Sequence, residues 1–345
     1  MAWLAYGTYA FVHARLGALK AELLAERQWE QLLAARAFLE QQRVLEATSY
    51  APWVAATLEP TLQSIKNALH RPARKIERSV PRLPARFIRM WSQRDLLRNI
   101  KTLLKGKALG RSEATIRGEL LELDPAYALP WEPLLRCPNV EAALDLLEAT
   151  DLRHWIRAAR RIYQRDPTLF GLDAALDRLY YPELWRQLQR LDRPDRLAVE
   201  ELVSSEIDQA NLLWLLRYRL NYRLSAPETY YLLIPVTGWI TSEQLKVLVR
   251  RESLPAIIAG IGVEAIRALL EHCQSLWEVE VELWRWRARQ ARQMFRRGAF
   301  TLGEALAFLV LKDVEVRDLS AVLEGTRLGA APRDIAEQLV GVWPH

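Results

Sequence analysis

The chain has 345 residues, of which 50% are hydrophobic and 26% are charged, and its formal net charge is +6 at pH 7. This length and hydrophobic content allow a large core in two or three domains, and they exclude collagen-like, low-complexity and disordered chains. The two cysteines, Cys137 and Cys273, do not form a C-x-x-C pair. A disulfide framework and a zinc-cysteine site are therefore not expected.

The positive charge is concentrated in one stretch of the sequence. Between His70 and Arg111 there are thirteen Lys or Arg residues and two acids, so this stretch carries +11 and the rest of the chain is slightly acidic. Such a stretch is typical of surfaces that bind nucleic acid or another anionic partner. No apolar run approaches the ~18 residues that span a bilayer. We therefore expect no membrane span, and no signal peptide either, since no basic residues precede the N-terminal apolar segment.

Apolar residues recur at every third or fourth position along most of the chain, which predicts helices. Residues 9–43 contain no proline, and their pattern predicts two long helices or one bent helix. Residues 70–86 are predicted to form a loop or a short irregular helix. Their pattern is interrupted by three prolines, Pro72, Pro81 and Pro84.

Two proline-containing boundaries, at 124–130 and 234–238, divide the chain into thirds, and the thirds share a repeat. The segment NIKTLLKGK at 99–107 aligns with NLLWLLRYR at 211–219 and with DLSAVLEGT at 318–326. A second match aligns residues 44–53 with residues 146–155. These matches predict an all-α fold of three helical modules of roughly 110 residues each. The predicted modules are 1–128, 129–238 and 239–345.

Polar side chains interrupt the apolar face of the repeated helix. Asp208 and Asn211 do so in the second copy, and Glu315 and Asp318 do so in the third. A buried polar group needs a hydrogen-bond partner. One interpretation is that these groups bond neighbouring helices inside the fold. The other is that they line a central surface where three modules meet and an axial partner docks. Four glycines near the ends of these helices are predicted to terminate them, namely Gly106, Gly110, Gly325 and Gly329.

Several motifs occur in the order found in one known family. EIDQANLLWLLRYR at 206–219 resembles the E-x-D-x-x-N signature of the C subunit of archaeal and bacterial V/A-type rotary ATPases, the counterpart of the d subunit of eukaryotic vacuolar ATPase. LDAALDRLYYPEL at 172–184 and LKDVEVRDLSAVLEGTR at 311–327 are similar to two further family elements. YAFVHARLGAL at 9–19 is similar to the opening of the family, and LEATSY at 45–50 to the stretch that follows it.

The resemblance implies a non-catalytic rotor subunit that needs no cofactor. In that family, the C subunit is a funnel of three pseudo-threefold helical modules, present in single copy. It sits on the cytoplasmic end of the membrane proteolipid ring, holds the central stalk and transmits torque for ATP synthesis or hydrolysis. On this basis the candidate partner-binding residues are Asn99, Lys105, Lys107, Asp208, Asn211, Arg217, Arg219, Glu315, Asp318 and Arg327.

Two other functions remain open. A helical-repeat scaffold of another complex would share the repeat without the rotary role. A nucleic-acid-binding protein would use the basic stretch together with WRWRARQAR at 284–292. However, Glu278, Glu280 and Glu282 precede that segment and would repel a phosphate backbone. Neither a phosphate-binding loop nor a histidine pair with metal-ligand spacing occurs in the sequence, so we expect no catalytic or metal site.

Overall fold

The computed structural model of the chain describes residues 2–123, 129–165, 169–236 and 238–341. Regular secondary structure in these ranges is entirely helical, which confirms the predicted all-α class. The α-helices described are α1 (Ala2–Lys20), α2 (Glu26–Ala34), α3 (Phe38–Glu46), α4 (Leu58–Ile65), α5 (His70–Glu77), α6 (Arg82–Ala108), α7 (Glu113–Glu119), α8 (Trp131–Arg136), α9 (Val140–Glu148), α10 (Arg153–Arg165), α11 (Leu169–Gln189), α12 (Arg193–Leu216), α13 (Ala226–Leu232), α14 (Ser242–Leu248), α15 (Leu254–Ala259), α16 (Glu264–Leu270), α17 (Leu276–Arg297), α18 (Leu302–Arg327) and α19 (Pro332–Gln338).

Short helices of other types lie at Ala51–Trp53 and Lys66–Leu69, which are 3-10 helices, and at Arg217–Asn221, which is a π-helix. Of the two predicted boundaries, 124–128 and Thr237 lie outside the described residues. Ile234 to Val236 lie outside any helix, as predicted.

The N-terminal segment differs from its prediction. The structure has three helices, α1 to α3, where the sequence pattern predicted two long helices or one bent helix. Between α1 and α2 the backbone N–H of Leu24 donates to Oε2 of Glu315 at 2.6 Å instead of to a carbonyl four residues earlier. This partner is 291 residues away in the sequence, so the helical pattern around Leu24 cannot reveal the break.

The basic segment is more helical than its prolines predicted. Pro72 is the third residue of α5, and Pro84 is the third residue of α6. The first four backbone N–H groups of a helix have no intrahelical acceptor, so a proline in the first turn costs no hydrogen bond. Residues 70–86 therefore form a regular eight-residue helix, a turn and the beginning of a 27-residue helix.

The chain forms two compact units, each built from separate segments. The first unit comprises Met1–Ile88, Leu188–Glu206 and His272–His345, and the second comprises Arg89–Gln187 and Ile207–Glu271. These units differ from the three modules predicted from the repeat. The module boundaries after residues 128 and 238 remain a prediction.

The core of the first unit is built around α18. This helix packs against α1, α3, α4, α5, α17 and α19. Because neighbours cover several sides of α18, its sequence is apolar around most of its circumference rather than along one stripe. The adjoining buried cluster includes Trp29, Tyr50, Ile65, Leu319 and Val322.

In the second unit, polar groups join α6, α11 and α12. Nζ of Lys101 lies 2.6 Å from Oδ1 of Asp177, and Nε1 of Trp214 donates to Oδ2 of the same carboxylate at 3.0 Å. The hydroxyl of Tyr180 donates to the carbonyl of Trp91 at 3.0 Å. A partly buried carboxylate thus receives both a cation and an indole N–H, which offsets the cost of removing it from water.

The order of helices repeats along the chain. Helices α8 to α13 comprise three helices of 6, 9 and 13 residues, two long helices of 21 and 24 residues, and a final helix of seven. Helices α14 to α19 follow the same order, with lengths of 7, 6, 7, 22, 26 and 7 residues. The second and third predicted modules therefore share one sequence of elements.

Candidate functional site

The candidate site is the polar face of the repeated helices, and its first feature is an asparagine that holds distant backbone. Nδ2 of Asn99 donates to the carbonyl of Leu121 at 2.8 Å, and Oδ1 accepts from the N–H of the same residue at 2.8 Å. Asn211, the equivalent residue of the second copy, accepts from the N–H of Ile234 at 2.9 Å and donates to its carbonyl at 3.5 Å. Both side chains are buried.

The third copy makes the same connection with an aspartate. The two carboxylate oxygens of Asp318 accept from the N–H groups of Val340 at 2.9 Å and Gly341 at 2.6 Å. An aspartate fits here because both backbone groups are donors. Asparagine fits at Asn99, where the backbone presents one donor and one acceptor. In every copy, the side chain fixes the segment that follows the next short helix.

A second buried carboxylate, Asp208, holds the turn that begins at Gly238. Its oxygens accept from the N–H groups of Gly238 at 3.1 Å, Trp239 at 2.6 Å and Ile240 at 3.3 Å. Burial raises the pKa of Asp208 to about 6, although the three N–H donors act in the opposite direction. This carboxylate therefore organises backbone within the second unit and is not exposed to an external ligand.

Glu315 occupies the corresponding position in the third copy and is also internally bonded. Its carboxylate accepts from the N–H of Leu24, from the hydroxyl of Tyr50 at 2.9 Å and from Nζ of Lys312 at 2.8 Å. Burial raises the pKa of Tyr50 well above its usual range, and the nearby negative charge of Glu315 is the second largest cause. The ammonium of Lys312 also lies 4.2 Å from the centre of the Tyr50 ring.

The ends of the repeated helices match closely in the first and third copies. Gly110 and Gly329 follow these helices with φ values of +64° and +72°, a conformation that glycine adopts without strain. The N–H of Arg111 donates to the carbonyl of Gly106, and the N–H of Ala330 donates to the carbonyl of Gly325, both at 2.9 Å. Gly110 and Gly329 thus confirm the predicted helix ends, whereas Gly106 and Gly325 lie inside the last turns.

The second copy contains one additional residue, which the π-helix accommodates. Asn99 and Asn211 are 112 residues apart, but the left-handed Gly110 corresponds to Arg223 (φ +55°), which is 113 residues later. The insertion lies in the π-helix at 217–221, where the N–H of Tyr222 donates to the carbonyl of Arg217 at 3.0 Å. Such local widening absorbs one residue without breaking the helix.

The second sequence match, between residues 44–53 and 146–155, also recurs in the structure. Oγ1 of Thr48 donates to the carbonyl of Leu45 at 2.7 Å, and Oγ1 of Thr150 donates to the carbonyl of Leu147 at 2.7 Å. Helices α3 and α9 precede these turns and have nine residues each. The sequence match between 44–53 and 146–155 therefore reflects the same local structure.

The ten predicted partner-binding residues fall into two groups. Five are buried and bonded within the chain, as the first interpretation proposed: Asn99, Asp208, Asn211, Glu315 and Asp318. The other five are basic. Lys107 donates to the carbonyl of Leu135, and Arg219 donates to the carbonyls of Leu224 and Arg251.

The remaining basic residues of the set are more accessible. The guanidinium of Arg217 lies 5.5 Å from the ring of Trp214, and the side chain is partly buried. Lys105 is exposed on α6. Arg327 is exposed at the end of α18 and pairs with Glu324. Of the ten, Lys105 and Arg327 are therefore the most available to a partner.

Sequence reasoning missed the group formed by Lys101, Asp177 and Trp214. Asp177 lies in the LDAALDRLYYPEL segment, but its spacing gave no indication of its partners because they belong to α6 and α12. The sequence also did not distinguish the exposed Lys and Arg residues of the basic stretch from those that are bonded within the chain. Those that are exposed include Arg71, Arg78, Arg82, Arg86 and Arg98.

Within the described residues, no cluster of three or more His, Cys, Asp or Glu side chains has the arrangement of a metal site. Cys137 and Cys273 are both buried free thiols. The helices of the described ranges include none that is both long and apolar enough to cross a membrane.

Comparison with known proteins supplies the family. The sequence model described as ATP synthase (C/AC39) subunit matches residues 12–338. Among the similar curated proteins, the C subunit of the A-type ATP synthase of Thermococcus onnurineus is 26% identical over 97% of this chain and 91% of its own length. That of Methanocaldococcus jannaschii is 22% identical, with 97% and 86% covered, and that of Pyrococcus abyssi is 23% identical, with 98% and 94% covered. The chain belongs to the ATP synthase C/AC39 subunit family.

Proposed function

We propose that the chain is the non-catalytic central-rotor subunit of a V/A-type ATPase or ATP synthase. In this role it connects the central stalk to the membrane proteolipid ring and transmits torque between ion flow and ATP chemistry. The observation that carries the proposal is the family match over residues 12–338, together with relatives that are named as C subunits of A-type ATP synthases. A peripheral position on the cytoplasmic face, in single copy, follows from the same role.

The internal bonding of the polar groups supports a mechanical rather than a catalytic role. Asp208 and Glu315 each receive three hydrogen bonds from groups of the same chain. A catalytic carboxylate needs access to substrate, and these two are buried. Buried, fully bonded polar groups rigidify a helical packing, and rigidity is what transmission of torque requires.

The recurring geometry supports three repeated modules, and we propose that they are arranged around an axis. The polar anchors at Asn99, Asn211 and Asp318 hold equivalent backbone in all three copies. The helix order of α8 to α13 recurs in α14 to α19. Three similar modules would form a socket, and their differences would suit an asymmetric stalk. Lys105 and Arg327 are exposed at the ends of repeated helices and are our candidates for contact with acidic stalk residues.

The proposal is tested by assembly with the other proteins of the rotary complex. The chain is co-expressed with the central-stalk subunits and the proteolipid ring from the same source, and co-purification is measured at two salt concentrations. We expect a stable complex. The doubly substituted variant Lys105→Glu/Arg327→Glu is expected to weaken stalk binding at least tenfold, while the fold is retained because both side chains are exposed. The matched control is the double variant Arg27→Glu/Arg43→Glu, which makes the same change of net charge at exposed cations of α2 and α3.

The outcomes separate the proposed role from its alternatives. If the chain associates with neither the stalk nor the ring, the rotor role is contradicted and a scaffold in another complex is favoured. Salt-dependent retention of the isolated chain on DNA that is lost in Arg82→Glu/Arg86→Glu would favour a nucleic-acid-binding protein. If the double variant binds the stalk normally, the rotor role stands but these two residues do not form its contact surface.

A further inference from the structure

The second unit contains a pocket whose lining includes no residue of the repeated helices. It has a volume of about 340 Å³ and lies between α10, α11 and Tyr231 of α13. Its apolar lining consists of Ala158, Ile162, Ala175 and Leu179, and two arginines, Arg161 and Arg178, complete it. The volume lies at the lower end of the range for ligand-binding pockets.

Arg178 brings an uncompensated charge to this pocket. Its guanidinium donates to the carbonyl of Leu233 and lies 5.2 Å from the centre of the Tyr231 ring. No carboxylate of the described residues forms an ion pair with it, and burial lowers its pKa below the usual range. A partly buried cation without a counterion is unfavourable, and an anion in the pocket would remove that cost.

Arg161 is the second arginine that lines the pocket. It is exposed, and none of the described residues forms a hydrogen bond or ion pair with it. The preceding residue, Arg160, is fully engaged by Glu141, Asp145 and Glu148. The acidic side chains of α9 therefore neutralise one side of α10 and leave the side that faces the pocket positively charged.

We propose that this pocket binds an acidic side chain of a partner protein, together with an adjacent apolar residue. Two guanidiniums match a carboxylate, because each presents a planar set of N–H donors. The apolar lining matches the neighbouring side chain. Tyr231 and Arg161 are both exposed, so the pocket opens to the surface. An extended segment of a partner protein could therefore reach it. The inference deepens the proposed function and rests on it, since the partner would be another protein of the same complex.

The test uses the full-length chain and two synthetic peptides. One is a capped five-residue peptide with a single glutamate between two leucines, and the other has glutamine in place of the glutamate. Dissociation constants are measured by titration with NMR detection. We expect the glutamate peptide to bind at least fivefold more tightly than the glutamine peptide. Removal of one charged hydrogen-bonding partner in Arg161→Gln should weaken glutamate-peptide binding about tenfold.

Two further variants control for indirect effects. Arg153→Gln removes an exposed cation of the same helix that does not line the pocket and should leave both dissociation constants unchanged. Ala158→Leu fills the pocket without changing its charge and should abolish binding of both peptides. Arg161 is exposed and Ala158 only partly buried, so both variants should fold, which circular dichroism would check.

The outcomes decide between protein and small-molecule ligands. Equal affinity for the two peptides, or an unchanged affinity in Arg161→Gln, would overturn the proposal. Saturable binding of hexanoate with no binding of the glutamate peptide would show that the site takes a free carboxylate, which also overturns it. Co-purification of the wild-type chain with the rotary complex is scored separately. Peptide binding without co-purification would therefore refute the proposed function and leave the acidic-segment site standing.

Discussion

Gly106 and Ile116 approach each other so closely that no side chain fits between them. A Cβ built on Gly106 would lie 2.5 Å from Cγ1 and 2.7 Å from Cδ1 of Ile116. The same relationship recurs in the third copy, where a Cβ on Gly325 would lie 2.7 Å from Cγ1 of Ile335. Each glycine lets the short helix after the repeated helix pack directly on its backbone.

Gly106→Ala is expected to lower the free energy of unfolding by about 1–3 kcal/mol, because the added methyl group overlaps Ile116. Gly118→Ala is the matched control: Gly118 lies in α7 with nothing within 4 Å of a built Cβ. There alanine should be neutral or stabilising by about 0.5–1 kcal/mol. Urea denaturation measures both. Equal effects of the two substitutions would refute the close approach.

Asn99→Asp should destabilise the protein by at least about 2 kcal/mol at pH 7. The carboxylate cannot donate to the carbonyl of Leu121, and it places a buried charge beside that oxygen. At pH 4 the loss should be smaller, since a protonated carboxyl can donate. Asn221→Asp, at an exposed position of the π-helix, should change stability by less than about 0.5 kcal/mol. A loss that is independent of pH would contradict the assigned hydrogen bonds.

The pKa of Asp208 predicts a specific dependence of stability on pH. It is about 6 in the folded state and about 3.9 in the unfolded state. The folded chain therefore holds this proton more tightly, so the favourable contribution is complete below pH ~4 and is lost as pH rises through 6. Between pH 7 and pH 4, the stability of the wild type relative to Asp208→Asn should increase by about 2 kcal/mol.

Chemical denaturation of both proteins over this pH range measures the effect, and the variant supplies the background from all other groups. Parallel curves would show that Asp208 titrates normally in the folded state. A change of opposite sign would mean that the three backbone N–H groups outweigh burial and lower its pKa.

Lys312→Met should lower the free energy of unfolding by about 3–5 kcal/mol, because it leaves the buried carboxylate of Glu315 without its cation. In the double variant Lys312→Met/Glu315→Gln, the charge is removed as well, and part of the stability should return. Thermal and urea denaturation give the coupling of the two residues. Strictly additive losses would mean that the ion pair does not contribute in the way its geometry indicates.

The local patterns of the sequence were sufficient for the helical class and for the repeat. Apolar spacing identified the helices, and the aligned segments at 99–107, 211–219 and 318–326 have equivalent hydrogen bonds. The prediction for residues 9–43 allowed at most one break, whereas the structure has two, between α1 and α2 and between α2 and α3. The first depends on Glu315, which lies far along the chain. The prediction for 70–86 underestimated helix because prolines in a first turn do not interrupt hydrogen bonding.

Taken alone, the sequence determined the all-α class and the family and predicted the threefold repeat, because periodicity and ordered motifs are local properties. Only the tertiary structure decided which polar residues of the repeat are internal. In the sequence, Asp208 and Asp318 fit either an internal or a partner-binding role, and in the structure they hold backbone at Trp239 and Val340. It also separated Arg160, which is neutralised by three acids, from Arg161 beside it, which faces a pocket. The physical reason is that burial and pairing depend on neighbours contributed by distant segments.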